Sequence, residues 1–413
     1  MFVYVLNKHG NAIMPCKPRK ARLLLKEKKA KVVKRTPFTI QLIYGSAGYI
    51  QEVTLGVDAG TKHIGLSATT EKKVLFEAEV LLRTDIVNLL STRRAMRSAR
   101  RSRKTRHRKP RFLNRTRPKG WLAPSVQHKV DSHTKIINMV YEILPIKRLT
   151  IEVGQFDTQL LKNPEIQGED YQQGEQMGFW NTREYVLFRD KHTCQRCKGK
   201  RKEKILTVHH MESRRTGGDS PANLITLCKT CHSYIHKHNL EDTMVRTLPR
   251  LRDATQMTVM RWFIYNAVKE LYPEVKLTYG YKTKYTRIKH KLEKTHMVDA
   301  RCISRNPLAM PMTTTFLYRQ VRSNNRQLHK MTIAKGGYRK ANKAARFVEG
   351  FQLFDKVNYD GTECFIFGRR KSGYFDLRTL DGTNIHKSAS SKKLQVVEKA
   401  RTLLVEIQKR REV

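Results

Sequence analysis

Short apolar runs separated by turn residues open the chain. Residues 2–6, 30–33 and 38–44 read as strands, 18–30 as a basic helix, and Ala12-Ile13-Met14-Pro15 as a turn. After a linker over 45–51, an apolar strand delivers Asp58 at its end, a glycine turn follows, and a second strand runs back from Ile64. Helical periodicity returns over 125–144, with Val130, Ile137, Val140 and Leu144 on the inner side, and over 255–271, with Met257, Met260, Ile264 and Val268. Between these helices lies a β-rich run that holds Glu152 among apolar residues. A strand-like run over 275–279 is the last before a helix carrying His296 and Asp299, whose i, i+3 spacing sets both on one face. From 345 to 400 the pattern changes to short alternating runs at 351–354, 363–367 and 374–377. Turns at Asp360-Gly361, Ser372-Gly373 and Asp381-Gly382 separate them, which suggests a small β-barrel. The pattern predicts an α/β chain of several domains, and 413 residues admit two to four.

Charge changes the picture. With 83 Lys+Arg against 36 Asp+Glu, the formal net charge is +47, and such a chain repels itself unless it meets a polyanion. No apolar stretch of about twenty residues and no secretory signal is read, so nucleic acid is the expected partner and a membrane is not. No acidic residue occurs from 86 to 130. Within that span Arg93, Arg97, Arg100, Lys104 and Arg108 fall on one helical stripe, joined by Arg94, Arg101, Arg103 and Arg106. Like charges at i, i+4 destabilise a free helix, so this element is expected to order against phosphates, for which the arginine fork is suited.

The cysteines carry the most specific signal. Cys194/Cys197 and Cys228/Cys231 are two C-x-x-C pairs with 30 residues between them, the ligand set of a closed structural zinc. Cys16, Cys302 and Cys364 stand apart and read as free thiols of a reducing cytosol. Between the pairs lie a strand ending in His209-His210 and a loop with Gly217-Gly218 and Asn223, and directly after Cys231 a helix carries His232 and His236 at i, i+4. That order reads as a ββα-metal fold.

These residues resemble the HNH endonuclease signature. The resemblance makes His210 a general base, His209 and His236 ligands of one divalent cation with His232 a weaker candidate, and Asn223 the residue that pins the loop. The strand ending in Asp58 resembles the opening of an RNase H-like fold. Asp58, Glu152 and the His296-x-x-Asp299-Ala300 motif together resemble a RuvC-type site, with two magnesium (or manganese) ions about 3.5–4 Å apart and His296 activating water. In this order, and with Arg115-Thr-Arg-Pro-Lys-Gly120-Trp-Leu-Ala-Pro124 after the arginine helix, the chain resembles the IscB family of transposon-encoded RNA-guided nucleases, relatives of the type II CRISPR effectors.

The resemblance implies a split RuvC core with an inserted zinc-stapled HNH domain, an arginine-rich bridge helix and a C-terminal barrel-like domain. The implied divisions are 1–50 (PLMP-like), 51–90, 121–165 and 251–310 (RuvC), 91–120 (bridge helix), 166–250 (HNH) and 311–413 (guide-RNA and TAM contacts). It implies a monomer that binds a guide ωRNA and cuts double-stranded DNA beside a short TAM in a prokaryotic cytoplasm. The HNH site would cut the guide-paired strand and the RuvC site the displaced one. A protein-only homing endonuclease or junction resolvase, or a guided DNA-binding protein without efficient cleavage, are the other expectations.

Overall fold

The computed structural model describes residues 2–46, 48–102, 116, 118, 120–154, 176, 178–212, 219–238, 240, 251–323 and 345–410. It divides into two compact units: Met1–Thr84, Leu113–Gln155 and Gln256–Val413 form one, and Asp85–Phe112 and Phe156–Thr255 the other. Among the described residues no helix is long and apolar enough to cross a membrane.

In the first unit, β1 (Val3–Leu6), β2 (Ala12–Cys16), α1 (Pro18–Lys26), β3 (Ala30–Lys34) and β4 (Thr39–Leu42) build a four-stranded sheet in the order β2-β1-β4-β3. Its core is Val3, Val5, Ala21, Ala30, Ile40 and Leu42. Ala12-Ile13-Met14-Pro15 is not a turn but edge strand β2, where proline's missing N–H leaves no ladder bond unmade. The basic helix stops at Lys26 rather than continuing to 30, because Lys28 adopts a left-handed φ of 54° that ends the winding.

The centre is a seven-stranded sheet. β5 (Val53–Ala59), β6 (His63–Thr69) and β7 (Val74–Leu81) form an antiparallel meander. β8 (Ile146–Val153) lies parallel to β5, and β11 (Lys276–Thr278) parallel to β8. On the far side, β12 (Thr314–Gln320) runs parallel to β7 and β18 (Leu403–Lys409) antiparallel to β12. Alternation along β5 gives the sheet two different faces. Val53, Leu55 and Val57 pack with Val130, Ile137 and Val140 of α3 (Pro124–Tyr141) and with Met257, Met260, Ile264 and Val268 of α6 (Arg252–Leu271). The other face receives α8 (His296–Ile303), whose backbone nearly touches the strands. A Cβ at Gly56 would stand 2.0 Å from the Ala300 carbonyl oxygen, and one at Gly65 would stand 1.9 Å from that of His296.

Those two glycines therefore set the depth at which α8, and with it His296 and Asp299, meets Asp58 and Glu152. Gly65→Ala should push α8 off the sheet and cost on the order of 3 kcal/mol, the upper end for overpacking against unyielding backbone. Chemical denaturation should show the loss. A variant as stable as the parent would mean that α8 can shift freely.

The strand-like run at 275–279 is the last strand before His296, as expected, and α7 (Gly280–Lys289), which no periodicity predicted, follows it. After 310, β12 and β18 belong to the central sheet. Between them β13 (Lys356–Tyr359), β14 (Thr362–Arg369), β15 (Tyr374–Arg378), β16 (Asn384–Ser390) and β17 (Leu394–Glu398) form a second, antiparallel sheet in the order β16-β15-β14-β13-β17. β16 and β17 are its edges, and among the described residues no pairing closes it into a barrel. The run 351–354 contributes only an isolated bridge between Val348 and Phe351, and Phe354 takes a left-handed φ of 72° incompatible with a strand. Asp360 and Gly361, at φ 47° and 82°, make the tight β13–β14 hairpin.

The second unit contains α2 (Ile86–Ser102), α4 (Thr182–Arg189), the antiparallel pair β9 (Leu206–His210) and β10 (Leu224–Cys228), and α5 (Lys229–His238). Asn181 caps α4 by accepting the Glu184 N–H at 3.0 Å. From the end of α4, Arg189 donates to the carbonyls of Pro221 and Leu224, each at 2.9 Å, and Asp190 accepts the Thr226 N–H at 2.8 Å. β10 is thereby tied to α4 by buried polar bonds.

Candidate metal centres

The first centre is acidic. Asp58 and Glu152 stand opposite one another in the parallel β5–β8 register, which presents both carboxylates on the face that α8 covers. Thr295 caps α8 by accepting the Val298 N–H at 3.2 Å, so the helix begins at His296 and carries Asp299 one turn on. His296 Nδ1 lies 2.7 Å from Asp58 Oδ2. From α7, Thr283 donates to Glu152, and Arg287 Nε stands 2.9 Å from Asp299 Oδ1.

Burial, reinforced by Asp58 and Asp299, pushes Glu152 up to about 7 against the Thr283 hydrogen bond. Burial and Asp58 also raise Asp299, against the pull of Arg287, while the hydrogen bond to Asp58 raises His296. Carboxyls that raise one another's proton affinity even beside Arg287 are short of positive charge, and an all-oxygen acidic donor set suits hard divalent cations. The residues fit magnesium or manganese.

Two consequences have opposite signs. Without metal, the raised Glu152 contributes stability that is full below its ordinary 4.5 and lost as pH rises through about 7. A cation needs the deprotonated form, so its affinity should rise over the same range, about tenfold per unit of pH below 7 for one displaced proton. Isothermal titration of Mn2+ into a variant with His209, His232 and His236 all replaced by alanine, which removes the imidazole centre, measures this. Affinity independent of pH would contradict the assignment.

Sequence spacing gave no sign of Thr283, Arg287, His63 or Glu79. His63 stacks on His296 with ring centroids 5.1 Å apart and holds Glu79 at 2.7 Å. Ligand atoms of His63, Glu79 and His296 lie within 4.8 Å of one another. They come from β6, β7 and α8, so only the folded sheet brings them together.

The second centre is built on β9 and α5. Successive strand residues point to opposite faces, so the adjacent histidines part. His209 turns toward α5, where its ring centroid lies 5.0 Å from that of His232 and 4.9 Å from that of His236, and those two are 4.6 Å apart. Their ligand atoms all fall within 4.8 Å of one another. His232, expected to be the weaker ligand, stands on the same footing as the others. Its pKa is lowered by burial and by His236, which keeps the ring neutral and able to coordinate.

On the opposite face, His210 Nε2 lies 2.9 Å from Asp219 Oδ1, a partner the sequence reading missed because it sits in a loop without a spacing rule. Asn223 clamps the turn after His210. Its amide donates to the Glu212 carbonyl and accepts the Glu212 N–H, both at 2.9 Å. Gly217-Gly218 lie outside the described residues.

The third centre is the cysteine cluster. Sγ atoms of Cys194, Cys197, Cys228 and Cys231 lie within 4.8 Å of one another, and those of Cys197 and Cys228 are 3.9 Å apart. Ligands about 2.3 Å from a tetrahedral zinc are separated by about 3.8 Å, so the set fits that ion. The Arg201 backbone N–H draws the Cys197 thiol down to about 7, while burial pushes Cys228 up to about 12 and raises Cys231, so zinc would displace protons from the buried thiols on binding. Cys228 ends β10 and Cys231 lies in the first turn of α5, so the cluster fixes the helix that carries His232 and His236.

The arginine helix begins at Ile86, earlier than its basic stripe, and Arg93, Arg94 and Arg97 are exposed on it. The side chains of Arg100 and Arg101, and all of Arg103, Lys104, Arg106 and Arg108, lie outside the described residues.

Two family models match the chain: RRXRR protein over residues 3–174 and HNH endonuclease over residues 194–238. Comparison with curated proteins finds no match.

Proposed function

Because the RRXRR and HNH matches, in that order along one chain, fit a nuclease of the IscB type, we propose that the protein is an RNA-guided, metal-dependent DNA endonuclease with two active centres. The observation that supports this reading is that Asp58 and Glu152 share the sheet face under the helix of His296 and Asp299, while His209, His232 and His236 gather their ligand atoms beside a four-cysteine cluster, in a chain of net charge +47.

In the HNH domain, His210 takes the proton of the attacking water, with Asp219 orienting its ring. Asn223 holds the turn that aims His210. His209, His232 and His236 are the residues that would hold a divalent cation. In the RuvC-like core, Asp58, Glu152 and Asp299 would hold two. His296, engaged with Asp58 through Nδ1, keeps Nε2 for the water. Bound cations would stabilise the charge developing on the phosphate and the leaving 3′-oxygen. Cys194, Cys197, Cys228 and Cys231 would hold a structural zinc.

The arginine helix grips the guide backbone as a bridge helix. Base pairing supplies sequence specificity, while residues 311–413 contact guide RNA and the TAM. His210 cuts the guide-paired strand and the Asp58 centre cuts the displaced strand. Sequencing the RNA that co-purifies with the protein, and cutting DNA before and after ribonuclease treatment, tests this reading. A long, discrete RNA whose removal abolishes cutting is expected. Cleavage that survives ribonuclease would favour a protein-only homing endonuclease or resolvase.

A further inference from the structure

Helix α7 has two unlike sides. Gly280, Thr283 and Arg287, at helical spacing, face the acid cluster: Thr283 bonds Glu152, Arg287 pairs with Asp299, and a Cβ at Gly280 would lie 3.1 Å from Glu152 Oε1. The remaining surface carries aromatic rings in the open. Tyr281 is 69% exposed and Tyr285, one turn on, 67%. Tyr279, just before the helix, stacks on Tyr281 with centroids 6.2 Å apart and ring planes within 9°. Lys282 reaches over the Tyr281 ring at 5.9 Å, and Lys284 stands between the two exposed tyrosines.

A soluble helix does not ordinarily leave large rings in water while turning glycine, threonine and arginine inward. The inversion is explained if the inner side serves the acid centre and the outer side serves what that centre acts on. Exposed rings set among lysines, of which Tyr279 and Tyr281 are parallel, are a surface for stacking bases along a phosphate backbone, and only unpaired bases offer free faces to stack.

We propose that α7 is a stacking platform for single-stranded DNA, which holds the nucleotides next to the scissile phosphate through Tyr281 and Tyr285 and delivers that phosphate to Asp58, Glu152 and Asp299. This rests on the reading of the acid cluster as the centre that cuts the displaced strand. It adds the residues that select an unpaired strand for that centre. Duplex DNA, whose bases are stacked on one another, cannot use the platform.

The test uses the full chain purified with its RNA, on DNA labelled separately on each strand under single-turnover conditions. Tyr281→Ala combined with Tyr285→Ala should slow cutting of the displaced strand at least about tenfold, the worth of one lost stacking base. Cutting of the guide-paired strand should be unchanged, which also shows that the variant folds and loads RNA. Tyr281→Phe with Tyr285→Phe keeps the rings and should restore the rate. Displaced-strand cutting at the parental rate in the alanine variant overturns the proposal. So does an equal loss on both strands, which would put α7 on the guide duplex.

Crosslinking separates this from the reading beneath it. A displaced strand carrying 5-iododeoxyuridine should crosslink on irradiation to Tyr281 or Tyr285, also in an Asp58→Ala background where no cut occurs. Crosslinks found only elsewhere overturn the platform. If Asp58→Ala still cuts the displaced strand, the catalytic reading fails, and the crosslink still decides the platform.

Discussion

Replacing Cys228 and Cys231 with serine should release the zinc and unfold the module that holds the histidine cluster. Its two-stranded sheet cannot stand alone in water, and its apolar core beyond the cysteines is little more than Met211, Ile225, Leu227 and Ile235. In domains of this kind the metal supplies most of the folding free energy, on the order of 10 kcal/mol. Because Cys228 and Cys231 anchor the start of α5, the loss would also scatter His232 and His236 away from His209. Elemental analysis should fall from one zinc per chain to none, and protease should cut within 181–238 while the central sheet resists. Cutting by the histidine centre should drop below detection. A serine variant that retains zinc, or that resists protease as the parent does, would contradict a structural zinc at this cluster.

His210→Ala should slow cutting of the guide-paired strand by about 10²–10⁴-fold, the usual worth of a positioned general base. The backbone of β9 and the three histidines on its other face are left in place, so metal content and stability should stay at parental values. Asp219→Asn removes only the group that orients the ring, and about a tenfold loss is expected, at the lower end for an outer partner of a catalytic imidazole. His209→Ala differs in kind, since it takes a ligand from the cation and should be rescued in part by more metal. Single-turnover rates over a series of Mn2+ concentrations separate the three. If His210→Ala were rescued by metal, the roles of the adjacent histidines would be reversed.

What could be read from the sequence was local chemistry. Two C-x-x-C pairs and His232-x-x-x-His236 fix their partners within a turn, so the zinc cluster and the HNH segment were visible without a fold. Asp58, Glu152 and Asp299 could be picked out singly, but their assembly depends on the β5–β8 register and on Gly56 and Gly65 admitting α8, which no spacing reveals. Helix α7 escaped notice because its inward residues are glycine, threonine and arginine, chosen to meet carboxylates rather than an oily core, so no hydrophobic period marks it. β2 was hidden by Pro15, harmless on an edge. β12 and β18 pair across roughly eighty intervening residues, so neither could be assigned to the central sheet from its own pattern. Asp219, Thr283 and Arg287 act through contacts made only in the folded chain.

Two independent centres in one chain are tested most directly by comparing His210→Ala with Asp58→Ala, each loaded with its RNA, on DNA labelled strand by strand. The expected result is a pair of complementary nicking enzymes: His210→Ala cuts only the displaced strand and Asp58→Ala only the guide-paired strand, each at close to the parental rate. Loss of both cuts from either single substitution, with RNA still bound, would contradict two separate centres.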